Sequence, residues 1–243
     1  MIVSTGPNSG GLTVIYHMIY YSVATQAMKG LSAMTTPRNM MLKERAYNEI
    51  LKRILNGQCA PGDLLNRRCM AGELQMSAAP VHEAMIQLER DGFLEALPRL
   101  GTRVRTANRD DVRGHLIVRE ALECQAAYLI CGEPVRRHLL RLQSLAAMAD
   151  AGEGPDGQQA AHEVSFHIAL VELSDCPALV TEYRRVMQIG LFYRINLLMS
   201  MPASEPANRH LTLLDELAAA GPEEAVACAR RHIWTGKPDA LKR

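Results

Sequence analysis

The stretch MAGELQMSAAPVHEAMIQLERDGFL, Met70–Leu94, decides how the chain is read. Ser77 stands where a helix N-cap belongs, and Pro80 falls in the first turn, where its missing N–H does no harm. Val81, Ala84, Met85 and Leu88 then recur at the spacing of one buried helix face, and Asp91-Gly92 stops the helix. Working back toward the N-terminus, Tyr47, Ile50, Leu51, Ile54 and Leu55 give Lys43 to Asn56 the period of an amphipathic helix. Lys43, Arg45, Lys52 and Arg53 make its outer side basic. Gly57 ends it, Pro61-Gly62 turns the chain, and Leu65, Cys69, Met70 and Leu74 describe a short second helix. Beyond the third helix, Phe93 to Leu97 and Thr102 to Arg105 read as two strands around Pro98-Arg99-Leu100-Gly101. Three helices and a hairpin make a winged helix-turn-helix.

Composition sets the frame around this domain. Of 243 residues, 48% are hydrophobic and 22% charged, which excludes collagen-like, disordered and disulfide-scaffold classes. Aromatic residues make up only 5%, with a single Trp234, so a mostly α protein is expected. Lys+Arg 27 against Asp+Glu 26 leaves a net charge of +1, which rules out nucleic-acid binding through a globally basic surface but allows a local patch. Such a patch exists: Arg99, Arg103, Arg105, Arg109 and Arg113 gather on and after the hairpin, against Asp110 and Asp111. Six cysteines (Cys59, Cys69, Cys124, Cys131, Cys176, Cys228) form no C-x-x-C pair and read as free, mostly packed thiols of a reducing cytoplasm.

The first 28 residues carry no charged side chain. Leu12 to Met28 is nonetheless a poor membrane or signal segment, lacking a positive start and interrupted by Thr13, His17, Ser22, Thr25 and Gln26. A helix packed on the body of the protein and an upstream extension both remain open readings for this part, and no membrane association is expected.

From Val112 to Trp234 the chain reads as successive helices broken at Gly132-Glu133-Pro134, Ala151 to Pro155, Asp175-Cys176-Pro177, Met201-Pro202 and Gly221-Pro222. An antiparallel helical bundle is the simple packing solution. Within it, Glu163 and His167 lie four apart, hence about 40° apart around a helix, on the side of Leu170 and Val171. His210 shares a face with Leu213, Leu214 and Leu217, and His232 follows Cys228 and Ala229. Each histidine alone reads as structural; three aimed inward with a carboxylate fit a divalent-metal site equally well. A zinc-peptidase helix is excluded, because His162 and His167 are five apart and diverge around the helix.

The run Ile54-x-x-Gly57-x-x-x-Pro61-Gly62-x-x-Leu65, through Met70-Ala71, Leu74, Ser77, Pro80-Val81, Glu83-Ala84, Leu88 and Gly92-Phe93-Leu94 to Gly101-Thr102-x-Val104, resembles the N-terminal domain of GntR-type bacterial transcriptional regulators. Arg119-x-x-Leu122-Glu123, Glu163-x-x-Phe166-His167, His210 and Glu224-Ala225 leading to His232 resemble the FadR C-terminal domain (FCD) branch of that superfamily. Together the resemblances cover residues 40 to 235. They imply a mostly α protein with an N-terminal winged helix-turn-helix domain (37–107) and a C-terminal antiparallel all-helical effector and dimerisation domain (108–236), flanked by an extension (1–36) and a tail (237–243).

The resemblance implies a cytoplasmic, homodimeric, non-enzymatic regulator that binds a double-stranded operator and responds to a small carboxylate effector. The third helix would enter the major groove and the wing the minor groove. DNA contacts fall on Arg67, Ser77, Ala78, Pro80, His82, Arg99, Gly101, Thr102 and Arg103, and effector binding on Arg119. Metal ligation, of a zinc, nickel or manganese type, falls on Glu163, His167, His210 and His232. Three departures stand out: Ala78 and His82 occupy places where the family usually has arginine, and Glu163 stands for its aspartate. The first two also sustain an alternative, a metal-dependent or ligand-binding helical protein without specific DNA binding. If position 78 faces DNA, Ala78→Arg adds a cation there, raising operator affinity and steepening the slope of log affinity against log salt by about 1. Fluorescence anisotropy over a salt series measures both, and an unchanged slope places residue 78 away from the duplex.

Overall fold

The computed structural model describes residues 38–151, 159–197, 209–235 and 237. The uncharged N-terminal segment, the break at Met201-Pro202 and nearly all of the tail lie outside them. The chain divides between Thr106 and Ala107 into two compact units.

In the first unit, α1 (Arg38–Leu55) is followed by β1 (Leu64–Leu65), α2 (Arg67–Glu73), α3 (Ala78–Arg90), β2 (Leu94–Leu97) and β3 (Gly101–Val104). Ile50, Leu51 and Ile54 of α1 and Val81, Ala84, Met85 and Leu88 of α3 are all buried where the two helices pack together. Removing these apolar faces from water holds a domain whose other elements are short. Asn66 caps α2, accepting from the backbone N–H of Arg68 at 2.9 Å and of Cys69 at 3.2 Å. The end of α3 is a Schellman turn: Phe93 N–H donates to Leu88 C=O and Gly92 N–H to Glu89 C=O, with Gly92 at φ +87°. That turn carries Phe93, 1% exposed, back into the core and aims β2 along the sheet.

The sheet differs from the expected two-stranded hairpin. Its order is β1-β3-β2, all antiparallel, with Leu64 opposite Arg103, Leu65 opposite Thr102, Leu94 opposite Val104 and Leu97 opposite Gly101. Leu65 is therefore a strand residue, not part of the second helix, and Cys69 is exposed rather than packed. Two residues cannot display a period, so only tertiary pairing defines β1.

The second unit is helical throughout its described residues: α4 (Arg109–Ile130), α5 (Glu133–Arg137), α6 (Leu139–Asp150), α7 (Gln159–Glu172), α8 (Pro177–Leu197), α9 (Arg209–Ala219) and α10 (Pro222–Trp234). A capping box starts α4: Asn108 Oδ1 accepts from Asp111 N–H at 2.9 Å and Asp111 returns the bond at 3.0 Å. The expected break at Gly132-Glu133-Pro134 separates two helices: α4 ends at Ile130 and the one-turn helix α5 begins at Glu133, with Gly132 at φ +74° and Pro134 inside the first turn. Helix α10 packs on α4, α7 on α6, α9 on α6 and α8 on α4. Their shared core contains Ile130, Leu142, Phe166 and Leu214 together with Ala127, Ala146, Ala225 and Ala229, small residues that let the helices approach closely. Close approach is sharpest at Gly190 of α8, where a β-carbon would lie 2.6 Å from His115 Nε2 on α4.

Candidate functional site

In the first unit, Arg67 opens α2 and Ser77 precedes α3 with extended backbone; both are exposed. The Ser77 side chain makes no capping bond, which leaves its hydroxyl available at the surface. Ala78 is exposed on the first turn of α3 and His82 is half-buried one turn on. Pro80 is buried, and so is Thr102, which is 1% exposed and donates its hydroxyl to Glu89 Oε1 at 3.0 Å. Both residues therefore shape the frame rather than offer side chains to a partner. At the hairpin, Leu100 N–H closes the turn on Leu97 C=O at 3.1 Å. Arg99 adopts φ +66° there, a conformation that disfavours a side chain by about 1 kcal/mol, and Gly101 follows at φ +110°. Arg99 is exposed, whereas Arg103 is half-exposed and paired to Glu95 at 2.8 Å. An exposed cation held in strained backbone at a loop tip is a feature with no folding rationale of its own.

In the second unit, α7, α9 and α10 bring His167, His210 and His232 together, with one donor atom from each lying within 4.8 Å of the others. All three are buried, at 0%, 2% and 5% exposure. Phe166 wedges edge-on against two of the rings, 5.2 Å from His167 and 5.1 Å from His210. His232 Nε2 faces His167 Nε2 at 3.4 Å. The opposite nitrogens are backed by carboxylates: His210 Nδ1 lies 2.7 Å from Asp150 Oδ1, and His167 Nδ1 lies 3.4 Å from Glu123 Oε2. Asp150, the last residue of α6, also accepts from the backbone N–H groups of His210 at 3.0 Å and Leu211 at 3.1 Å, so it caps α9 from another helix.

This donor set fits a divalent cation. Burial lowers the pKa of His210 to about 4, and lowers those of His167 and His232 as well, so all three imidazoles are neutral and carry a lone pair. A carboxylate behind a ring orients it and raises its basicity as a ligand. Glu163, expected as the fourth donor, does not join the histidine group; its Oε1 stands 3.2 Å from Arg209 Nη2. Nearby, Arg119 Nε donates to Glu123 Oε1 at 2.6 Å, and Tyr183 donates its hydroxyl to the same oxygen. Burial pushes the Glu123 carboxyl up, but the Arg119 guanidinium, with the Tyr183 hydroxyl donating to the same group, outweighs it and holds the carboxyl well below the usual carboxylate range. Arg119 Nη2 is buried with no hydrogen-bond partner among the described residues. A water-sized, largely apolar cavity lies against Glu123 and His167, lined further by Ala126, Leu170, Leu213 and Ala229.

Four residues of this centre escape a reading of the sequence for site residues. Glu123 is the legible one, four positions after Arg119 on one helix. Asp150 and Tyr183 each meet their partners across 60 positions, and the bridging contact of Arg209 depends on α7. No local spacing announces them.

Neutral buried histidines leave a sign on stability. A group whose folded pKa is about 4 and whose ordinary value is 6.5 binds fewer protons when folded, so stability rises with pH between those values and is lost on acidification. His115, also lowered to about 4 by burial and by Arg119, adds to the effect. Urea unfolding of metal-stripped protein, with α10 and α4 followed by hydrogen exchange, is expected to lose stability from pH 7 to 5 with a slope of up to about 1.4 kcal/mol per pH unit per histidine. A flat profile over that window contradicts neutral burial.

Residues 42–104 match the bacterial regulatory proteins, gntR family, and residues 116–234 match the FCD domain. An HTH-type transcriptional regulator from the ttuE-ttuC' intergenic region of Agrobacterium vitis is 34% identical over 132 residues, covering 52% of this chain and 77% of that protein. The Nta operon transcriptional regulator of Aminobacter aminovorans is 27% identical over 174 residues, covering 71% and 82%. Among solved structures, a GntR regulator from Rhodococcus sp. RHA1 shares the fold with TM-score 0.65 at 22% identity, over 82% of this chain and 95% of that one. McbR/YncC of E. coli does so with TM-score 0.60 at 22% identity, over 79% and 93%. With a winged helix and a helical bundle matched in order along one chain, this protein belongs to the GntR family of transcriptional regulators, in the branch that carries an FCD domain.

Proposed function

We propose that this regulator binds its operator as a homodimer, through α3, the start of α2 and the wing, and that a small organic acid in the helical unit modulates that binding. The observation that carries the effector half is the convergence of three neutral imidazoles beside the buried, unpartnered Arg119 Nη2. His167, His210 and His232 would hold a divalent metal, with Glu163 as the carboxylate donor, and the bound ion would supply Lewis acidity toward a ligand carboxylate. Arg119 offers that carboxylate a charge-assisted hydrogen bond. The cavity holds about one water, so an organic acid enters only as the helices lining it move apart. Displacement of α4, which carries Arg119 and Glu123 and is joined to β3 by four residues, is the route to the winged helix. A ligand that favours one spacing of the two DNA-binding units then changes operator affinity by the ratio of its affinities for the two states.

On the DNA side, the arginine-poor α3 puts the weight of phosphate contact on Arg67 and on the wing, with Ser77 and the backbone of Gly101 beside them. Fewer cations on phosphates mean weaker binding with a shallower salt dependence. The test is titration of metal-free and zinc-loaded protein against labelled duplex from upstream of its own gene and against scrambled duplex, by anisotropy at fixed salt. Preference for the upstream duplex, and its release by a carboxylate in wild type but not in His167→Ala, supports the proposal. Equal affinity for both duplexes favours instead a ligand-binding protein without specific DNA recognition.

Arg99 gives a second expected outcome. Arg99→Gly relieves the positive φ and is neutral or stabilising by about 1 kcal/mol in urea unfolding, yet it lowers operator affinity and reduces the salt slope by about 1. Unchanged DNA binding removes the wing tip from the interface.

A further inference from the structure

His210 has two ring nitrogens with different duties. Asp150, a carboxylate that can only accept, takes Nδ1–H at 2.7 Å and also two backbone N–H groups, so the lone pair of the neutral ring resides on Nε2. That lone pair is already used. Arg209 Nη2, which can only donate, stands 3.5 Å from His210 Nε2 and 3.2 Å from Glu163 Oε1, and the whole Arg209 residue is 8% exposed. One guanidinium nitrogen thus engages two of the four groups that would ligate a metal.

We propose that Arg209 is a resident cation of this centre, and that its guanidinium and a divalent metal hold His210 Nε2 and Glu163 by turns. This rests on reading the histidine cluster as a metal site. A lone pair committed to an N–H donor cannot also bind an ion at about 2.0–2.1 Å, and a dication beside an unmoved guanidinium in a dry pocket is repelled by it. Metal entry therefore requires Arg209 to leave. When the metal is absent, the same guanidinium compensates the buried Glu163 carboxylate, which stranded alone would oppose folding. The helical unit is accordingly folded in both states, unlike small zinc domains that unfold on losing their ion. Arg209 is the first residue of α9, so the exchange of cations displaces the start of that helix and links metal occupancy to its position.

The test compares chelator-stripped full-length wild type, Arg209→Gln and Arg209→Lys by zinc titration against a chromophoric chelator, with metal content measured on the same samples. Arg209→Gln is expected to bind zinc at least about ten-fold more tightly than wild type, and Arg209→Lys, which retains a cation, to stay within about three-fold of it. Without metal, Arg209→Gln melts below wild type and recovers on zinc addition. Should Arg209→Gln not fold without metal, wild type alone decides: zinc saturation speeds hydrogen exchange of the Arg209 Nη2 protons as the guanidinium leaves. Zinc binding with Arg209→Gln no tighter than wild type, or with the Arg209 Nη2 protons exchanging no faster at saturation, overturns the exchange and leaves the metal site standing. Absence of zinc binding in every variant overturns both.

Discussion

A buried imidazole aims its lone pair in a fixed direction when a carboxylate stands behind its other nitrogen, and this arrangement organises two of the three rings in the helical unit. Three rings from α7, α9 and α10 face one another, so the groups that fix them have to come from elsewhere. Asp150 reaches His210 from the end of α6, and Glu123 reaches His167 from α4, itself held by Arg119 and Tyr183. The ion pair behind His167 keeps a full negative charge in a place where burial alone would protonate it. Six helices are thereby committed to one centre. Apolar contacts among Phe166, Leu142, Leu214 and the small alanines supply the packing energy, but the polar contacts decide which packing is adopted.

The winged-helix unit is organised by a different constraint, the need to expose a helix while anchoring it. The inner face of α3 is wholly buried, and the Schellman turn at Gly92 fixes where the helix ends and the wing begins. Its outer face is sparingly equipped. Ala78 and His82 leave the first two turns of the helix without a guanidinium, whose planar fork matches carboxylate and phosphate geometry; its one arginine, Arg90, stands in the last turn.

Much of this was legible in the sequence because it is written at short range. The stripe Val81, Ala84, Met85, Leu88, the stop at Asp91-Gly92 and the inward faces of His167, His210 and His232 are all periodic signals, and the structure buries each of them. Strand β1 is not legible, since two residues carry no period, and neither is α5, whose Gly-Glu-Pro start reads as a break. Pro80 and Thr102 lie in a DNA-binding motif, yet their side chains are enclosed, because a motif records structural and contacting residues alike. Asp150 and Tyr183 are invisible for a simpler reason: lone polar residues at helical positions look like solvent-facing ones until their partners arrive across 60 residues of chain.

Asp150 as a cap supplied from another helix bears on the order of assembly. Eleven residues make a marginal helix in isolation, and α9 depends for its first-turn amides on a carboxylate that is in place only after α6 has formed and docked. The contact closes 60 positions of chain, a loop whose entropy is offset only by the packing that accompanies it. The histidine centre therefore comes into being only with the docking of α6 and α9. Until it does, no fragment of the chain holds the three rings together, and a nascent chain presents scattered single imidazoles rather than a chelating trap for stray cations.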